Sequence, residues 1–417
     1  MKISIHTLGC KVNQYESDGL FKALQQAGHK VYNNLQPADI YILNTCAVTN
    51  QSERKSRQLV TKALKLNENA KVIVMGCASQ NNQKQFQDKK HVSVVMGVAS
   101  KHLIPELLNE IGNHTKPLPK KYEDEYNSLS TKTRATLKIQ DGCNNYCSYC
   151  LIPYLRGDSR SRPLNSIIKE AKQLAEHSNE IVVTGINTSD YKINGILALD
   201  RLMRSLSDIN ARIRISSLEV NVITKKLLKT LKQMPNFAPH FHLSLQSGCN
   251  KTLQAMNRKY TVKEYLKKVK LIRKYFNNPA ITTDLIVGFA GETDKDFEKT
   301  LKTIKKAKFF DIHIFPYSER KGTKASGNKL VKSSVIKQRL NKAMQIKKVG
   351  FNKYIKGNLN KVKNVLIENE QHGLMYGHTE DYIKVYIAPN ENMEAGKFYK
   401  IKLISAFKDG AIGEYIS

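Results

Sequence analysis

Tryptophan is absent from the 417 residues, aromatic side chains make up 8%, and only 36 acidic residues stand against 68 basic ones. Long apolar runs are missing as well. No stretch reaches the roughly 20 residues that span a bilayer, and the start, Met1-Lys-Ile-Ser-Ile-His-Thr, has no apolar signal-peptide core. The lysines have no Trp/Phe/Leu face beside them, which argues against a helix lying on a membrane surface. These absences lead to the expectation of a cytoplasmic protein with no membrane partner. Thiols in that compartment stay reduced, so the seven cysteines read as ligands rather than as disulfides.

The formal net charge is +32, and it is uneven: +7 over residues 1–133, +7 over 134–250, +18 over 251–353 and 0 over 354–417. A basic excess in one segment points to a polyanionic partner. A Lys- and Asn-rich composition with solvated helix faces gives the same count, and charge alone leaves both readings open. The length predicts roughly two to four domains, and a hydrophobic fraction of 41% is ordinary for a globular chain.

The most specific local signal is the run Asp141-Gly-Cys-Asn-Asn-Tyr-Cys-Ser-Tyr-Cys150. Cys143, Cys147 and Cys150 form C-x3-C-x2-C, with Tyr149 just before the last thiol. Three thiolates hold three irons of a 4Fe–4S cubane and leave the fourth open to a small-molecule chelator, as water fills the open position of a catalytic zinc. A zinc knuckle would need a fourth Cys or His close by. The next after Cys150 is His177.

Residues 1–112 alternate short apolar strands (Lys2–Leu8, Asp39–Leu43, Lys71–Met75, Val92–Met96) with polar helices (Tyr15–Ala27, Glu53–Leu66 and one near Pro105–Ile111). That pattern predicts a parallel sheet covered on both faces. Cys10, Cys46 and Cys77 each follow a strand, where ligands bind to parallel sheets, and three thiols at one structural station suggest a second iron–sulfur cluster with one free iron. The alternative is three small core residues. Residues 113–133 read as a linker. Over 134–353 six further strands (Ala135–Gln140, Glu180–Thr184, Arg212–Leu218, Phe241–Gln246, Ile281–Val287, Phe310–Phe315) with helices between them predict an open, partial (β/α)6 barrel, closing with a basic helix at 333–353. Residues 354–417 predict a small antiparallel β-barrel of OB-like kind. The fold class is therefore α/β in its first two parts and all-β in the last.

Together these parts resemble the methylthiotransferases, a family of radical S-adenosylmethionine (SAM) enzymes with an N-terminal cluster domain, a radical SAM core and a C-terminal TRAM domain. The resemblance rests on Thr7-Leu-Gly-Cys-Lys-Val-Asn-Gln-Tyr-Glu-Ser17, Asn44-Thr-Cys-Ala-Val-Thr49, Gly76-Cys77, the core cysteine run extending to Tyr154, and Arg156-Gly157. Cys10-Lys-Val-Asn, Glu53-Arg-Lys-Ser-Arg57, Ile186-Asn-Thr188 and Arg214-Ile-Ser-Ser-Leu-Glu219 are most similar to the branch acting on threonylcarbamoyladenosine beside the tRNA anticodon. Ala290 departs from the pattern, where proline is usual.

The resemblance implies two 4Fe–4S clusters, SAM used both as methyl source and as radical source, a tRNA substrate, an external electron donor and an unidentified sulfur donor. It implies SAM contacts from Tyr149, Gly185, Asn187, Ser217, Glu219, Gln246 and Gly288. Methylthiolation of isopentenyladenosine or of a ribosomal-protein aspartate, and a non-enzymatic iron–sulfur RNA-binding protein, are the competing readings. Arg258, Lys259, Arg320 and Lys321 are candidate phosphate contacts, and Tyr376, Tyr382 and Tyr386 candidate stacking residues. Cys249 is expected to pack as a free thiol, and His240 and His242 to satisfy core hydrogen bonds.

Overall fold

The computed structural model describes residues 1–123 and 133–416. In the N-terminal part a parallel sheet carries the strands Lys30–Tyr32, Lys2–Thr7, Ile40–Thr45, Lys71–Gly76, Val92–Val95 and Gly112–Asn113, in that spatial order. Every residue of Ile40–Thr45 is buried, as the central strand of a sheet with both faces covered must be. The first helix begins at Lys11, four residues before the expected start, with Cys10 at its N-cap position. The helix expected near Pro105–Ile111 is a 3-10 turn at Lys101–Leu107 with Pro105 inside it. A proline lacks the donor that an α-helical ladder needs there. The edge strands Lys30–Tyr32 and Gly112–Asn113 were not foreseen, since each is only two or three residues long. Much of the expected linker, residues 124–132, lies outside the described residues.

Six parallel strands follow in sequential order: Arg134–Asp141, Glu180–Gly185, Arg212–Ile215 continuing as Ser217–Leu218, His240–Leu243, Ala280–Val287 and Asp311–Pro316. A break at Ser216 divides them into two sheets, and no pairing joins the last strand to the first among the described residues. The barrel is open, as expected. Threonines start several of the helices on its outside. Thr261 and Thr293 each form a capping box, with Glu264 and Asp296, and so satisfy donors that a helix start leaves free.

The C-terminal strands Val362–Gln371, Leu374–His378, Lys384–Ile387, Phe398–Phe407 and Gly410–Tyr415 close into a barrel. It is not wholly antiparallel as expected: Lys384–Ile387 pairs in parallel with Gly410–Tyr415. The long helix Ser333–Lys356 runs through the expected 353/354 boundary and shares a core with this small barrel through Phe351, Tyr354 and Ile355. Arg212 and Arg214, on the third core strand, fasten the two parts. Both pair with the buried Glu180, and they donate to the carbonyls of Asn364, His378, Thr379 and Glu380 at 3.0–3.2 Å.

Candidate active site

Cys143, Cys147 and Cys150 lie in the loop that leaves the first barrel strand. Gly142 makes the turn at φ +71, and a Cβ there would fall 1.9 Å from the Asp158 carbonyl oxygen, so only glycine fits. The Cys143 amide donates to the Gly157 carbonyl at 3.0 Å, the Ser148 amide to the Met256 carbonyl at 3.1 Å, and the Ala325 amide to the Ser148 carbonyl at 2.8 Å. The loop is thereby anchored from three separate segments. Gln140 adds a fourth tie: its Nε2 donates to the Gly142 carbonyl at 2.7 Å while its Oε1 accepts from the Asn187 amide at 2.7 Å.

The three thiols line a cavity of about 220 Å³ together with Tyr149, Asn187, Ser217, Glu219, Gln246 and Arg258. Five of the seven expected SAM contacts are thus brought to one place. Gly185 and Gly288 do not line it. Gly185 lets the Gln140 backbone and side chain approach, and Gly288 makes room for the helix Ser333–Lys356, where a Cβ would lie 2.5 Å from Ile336. Burial pushes the Cys143 thiol up to about 11 and the Cys150 thiol up to about 12. Arg258 supplies the balancing charge. Its Nη1 is 3.3 Å from the Cys147 sulfur, and it pairs with Glu219.

This overturns the expectation that Arg258 contacts RNA phosphate: its side chain is 4% exposed. Arg320 is likewise buried, paired with Glu53 at 2.8 Å. Lys259 and Lys321 are exposed, as a phosphate contact requires.

Cys10, Cys46 and Cys77 stand at the carboxyl ends of three adjacent strands, Lys2–Thr7, Ile40–Thr45 and Lys71–Gly76. Gly9, at φ +106, passes so close that a Cβ would lie 3.1 Å from the Cys46 sulfur. Asn13 clamps the loops together by donating to the carbonyls of Leu8 at 2.8 Å and Thr45 at 3.0 Å. Burial lifts the Cys46 thiol to about 11, with Cys77 and Cys10 adding to the rise. Burial also raises Cys77, against the opposing pull of Arg156.

Arg156 joins the two cysteine groups. It is fully buried and donates to Glu16 at 2.9 Å, to Asp141 at 3.0 Å and to the Asn13 side chain at 2.8 Å. Lys138 pairs with both carboxylates, and Lys101 with Glu16. Three cations thus meet at two carboxylates, with the Arg156 guanidinium also beside Cys77. Asn13 follows Cys10 by three residues, and Asp141 precedes Cys143 by two, so one ionic network positions both thiol loops.

His240 and His242 each make a core hydrogen bond, as expected, to the Thr282 hydroxyl at 2.9 and 3.0 Å. Sequence reasoning missed the carboxylate in the barrel interior. His242 Nε2 lies 3.1 Å from one oxygen of Asp284, and His313 Nδ1 lies 3.4 Å from the other. The expectation for Cys249 holds: it is buried, with its sulfur 3.5 Å from Asp296. Tyr386 is buried with its hydroxyl on Asp409, and Tyr382 stacks between His240 and His378, so neither offers a free stacking face. The signal for these inward residues was alternation along the strands, which says inside or outside but names no partner.

Residues 137–304 match the radical SAM superfamily, and residues 2–97 match an uncharacterized protein family, UPF0004. The chain is 33% identical over 425 residues to the threonylcarbamoyladenosine tRNA methylthiotransferase MtaB of Bacillus subtilis, covering 97% of this chain and 94% of that one. With the protein of the same name from Aquifex aeolicus it shares 38% over 341 residues, 78% of this chain and 82% of the other. The tRNA-2-methylthio-N(6)-dimethylallyladenosine synthase of Pelagibacter ubique is 33% identical over 441 residues, covering 99% and 97%. Among solved structures, the radical SAM methyltransferase TsrM from Kitasatospora setae, with cobalamin and a 4Fe-4S cluster bound, superposes with a TM-score of 0.54 at 13% identity. That superposition covers 76% of this chain and 72% of TsrM, and it shows the fold alone.

Proposed function

The chain belongs to the methylthiotransferase family of radical SAM enzymes, MtaB type, and from that membership we infer that it is a tRNA methylthiotransferase, adding a methylthio group to C2 of N6-threonylcarbamoyladenosine beside the anticodon. The observation that carries the reading is the approach of two cysteine trios through the Arg156 network, in a chain that matches MtaB proteins over nearly its whole length.

The residues present fit the implied cofactors. Cys143, Cys147 and Cys150 would hold the radical SAM cluster, since they open into one cavity with a guanidinium beside Cys147. Cys10, Cys46 and Cys77 would hold a second cluster, beside the buried Arg156 guanidinium, whose positive charge at Cys77 suits an anionic group. When bound, these groups supply one-electron cleavage of SAM, hence a radical able to attack an unactivated C–H carbon, and a carrier for sulfur.

The chain's own residues bind and orient. Asn187, Ser217 and Gln246 project polar groups into the cysteine cavity, and Glu219 offers a carboxylate to an amino or hydroxyl group. Arg258 holds Glu219 in place while neutralising thiolate charge. Glu16, Asp141, Lys138 and Arg156 keep the two cysteine loops in fixed register without contacting substrate.

The test is mass spectrometry of tRNA nucleosides from a deletion strain. Loss of the methylthio form of threonylcarbamoyladenosine alone supports the reading. Loss of the isopentenyladenosine derivative instead would transfer the assignment to the other substrate. Reduced holoprotein that yields no 5′-deoxyadenosine from SAM would point to a non-enzymatic RNA-binding protein.

A further inference from the structure

We propose that a second, larger cavity adjoining the cysteine site receives the N6 substituent of the substrate adenosine, and that Lys11 and Lys348 bind its carboxylate. The inference rests on the substrate reading above and names the groups that would make the enzyme selective. This cavity measures about 1040 Å³, lies between the barrel interior, the helix Ser333–Lys356 and the C-terminal barrel, and meets the cysteine cavity at Ser217, which lines both. An adenine placed with C2 toward the thiols therefore extends its far edge into the larger space.

The charges around that space are nearly all spoken for. Arg134 pairs with Glu368, Arg214 with Glu180, Lys347 with Asp311, and Lys384 with Asp409. Lys408 lies over the rings of Phe407 and Tyr386. Of the lining carboxylates, Asp284 is held between His242 and His313, and the other two are the partners just named. Lys11 and Lys348 are the lining cations with neither an ion-pair partner nor a ring contact among the described residues. Both lysines are solvent-exposed on the lining of this half-open cavity, and two uncompensated ammonium groups there favour an anion. A threonylcarbamoyl group ends in a carboxylate; a dimethylallyl group is hydrocarbon and would leave both lysines unanswered.

A second observation points to a ligand in the same place. His240, 7% exposed, lines this cavity with no hydrogen-bond partner for its Nδ1 among the described residues. Its ring stacks at 4.7 Å on Tyr382, a tyrosine held at φ +69, in the left-handed region that side chains rarely adopt. Backbone strain of this kind persists where the surroundings enforce it, and it gathers at ligand clamps. The carbamoyl part of the substituent, beside His240, would satisfy the orphaned nitrogen while the threonine carboxylate reaches the lysines.

The experiment uses anaerobically prepared holoprotein without reductant, so that binding is read in the absence of turnover. Dissociation constants are measured for anticodon stem-loops bearing adenosine, threonylcarbamoyladenosine, its carboxylate methyl ester, or isopentenyladenosine. The natural carboxylate should bind tighter than the ester by on the order of tenfold, the scale of one charge-assisted hydrogen bond. Lys11→Met with Lys348→Met should erase that difference, leave affinity for the unmodified stem-loop unchanged, and leave iron content unchanged. Equal losses on all four stem-loops would make the lysines phosphate contacts and overturn the proposal, as would a double variant that still prefers the acid to the ester. Methylthiolation of isopentenyladenosine by the reduced wild-type enzyme would sink the substrate reading itself, whatever the lysines do.

Discussion

Replacing Arg156 with methionine keeps most of the volume of its stem and deletes the charge that joins the two cysteine loops. The guanidinium donates to Glu16 at 2.9 and 3.2 Å, to Asp141 at 3.0 and 3.1 Å and to Asn13 at 2.8 Å, all out of contact with solvent. Removing one partner from a buried ionic group costs about 3–5 kcal/mol, because the remaining charge is left without compensation. Lys138 still touches both carboxylates and Lys101 still touches Glu16, which places this case at the lower end, about 3 kcal/mol. That corresponds to a factor of roughly 10² in the equilibrium between closed and opened loops. Hydrogen exchange reads it locally, which suits a chain of several parts that need not unfold in one step. In Arg156→Met holoprotein, amides of residues 11–26 and 142–157 should exchange roughly a hundredfold faster, while the strand Phe398–Phe407 keeps its rate. An acceleration below about threefold in both segments, or an equal one in the distant strand, would refute the claim that Arg156 ties the loops together.

The remaining predictions concern the thiols, acid and salt. Cys147→Ala should abolish reductive SAM cleavage, whereas Cys46→Ala should retain it and lose sulfur insertion; loss of cleavage in Cys46→Ala with the core cluster intact would contradict this division. Acid should destabilise the fold early. Burial alone would raise the carboxyls of Glu16, Asp141 and Glu180, but Arg156, Lys101 and Lys138 outweigh it for Glu16, Arg156, Lys138 and Arg160 for Asp141, and Arg214 and Arg212 for Glu180, which is held at about 2. A carboxyl depressed in the folded state contributes its full stability above the unfolded value, 4.5 for Glu and 3.8 for Asp, and loses it as pH falls toward the folded value. Melting temperature measured from pH 6 to 3 should therefore drop below about 4.5, and a flat profile would count against these pairs. Affinity for tRNA should fall by roughly 10³–10⁵ between 50 and 200 mM salt if six to ten phosphates are neutralised, as filter binding would report; a shallow slope would exclude phosphate-led docking through the basic 251–353 segment.

Much of this molecule is legible in one dimension. Strands of alternating or continuous apolar residues between polar helices announce parallel sheets, because each element must bury one face and the period of burial is written locally. The two cysteine trios are legible for the same reason: Cys143, Cys147 and Cys150 are close in sequence, and Cys10, Cys46 and Cys77 share one position relative to their strands, which a parallel sheet turns into proximity in space. Strand pairing in the C-terminal barrel was less legible, since the parallel match of Lys384–Ile387 with Gly410–Tyr415 depends on closure and not on either segment's pattern.

Partner choice among charged side chains lay beyond the sequence. Arg258 and Arg320 sit in a strongly basic segment and look like phosphate contacts, yet the fold buries one beside Cys147 and the other against Glu53. Arg156, Glu16, Lys138 and Asp141 come from two different parts of the chain, and His240 meets Tyr382 across 142 positions. A linear pattern states which face of an element is covered; it carries no record of what covers it. Burial and charge pairing are properties of the assembled interior, where a few ångströms decide whether a guanidinium waits for RNA or serves a thiolate. The chain alone therefore determined the chemistry the protein can hold, and packing alone decided which side chains serve it.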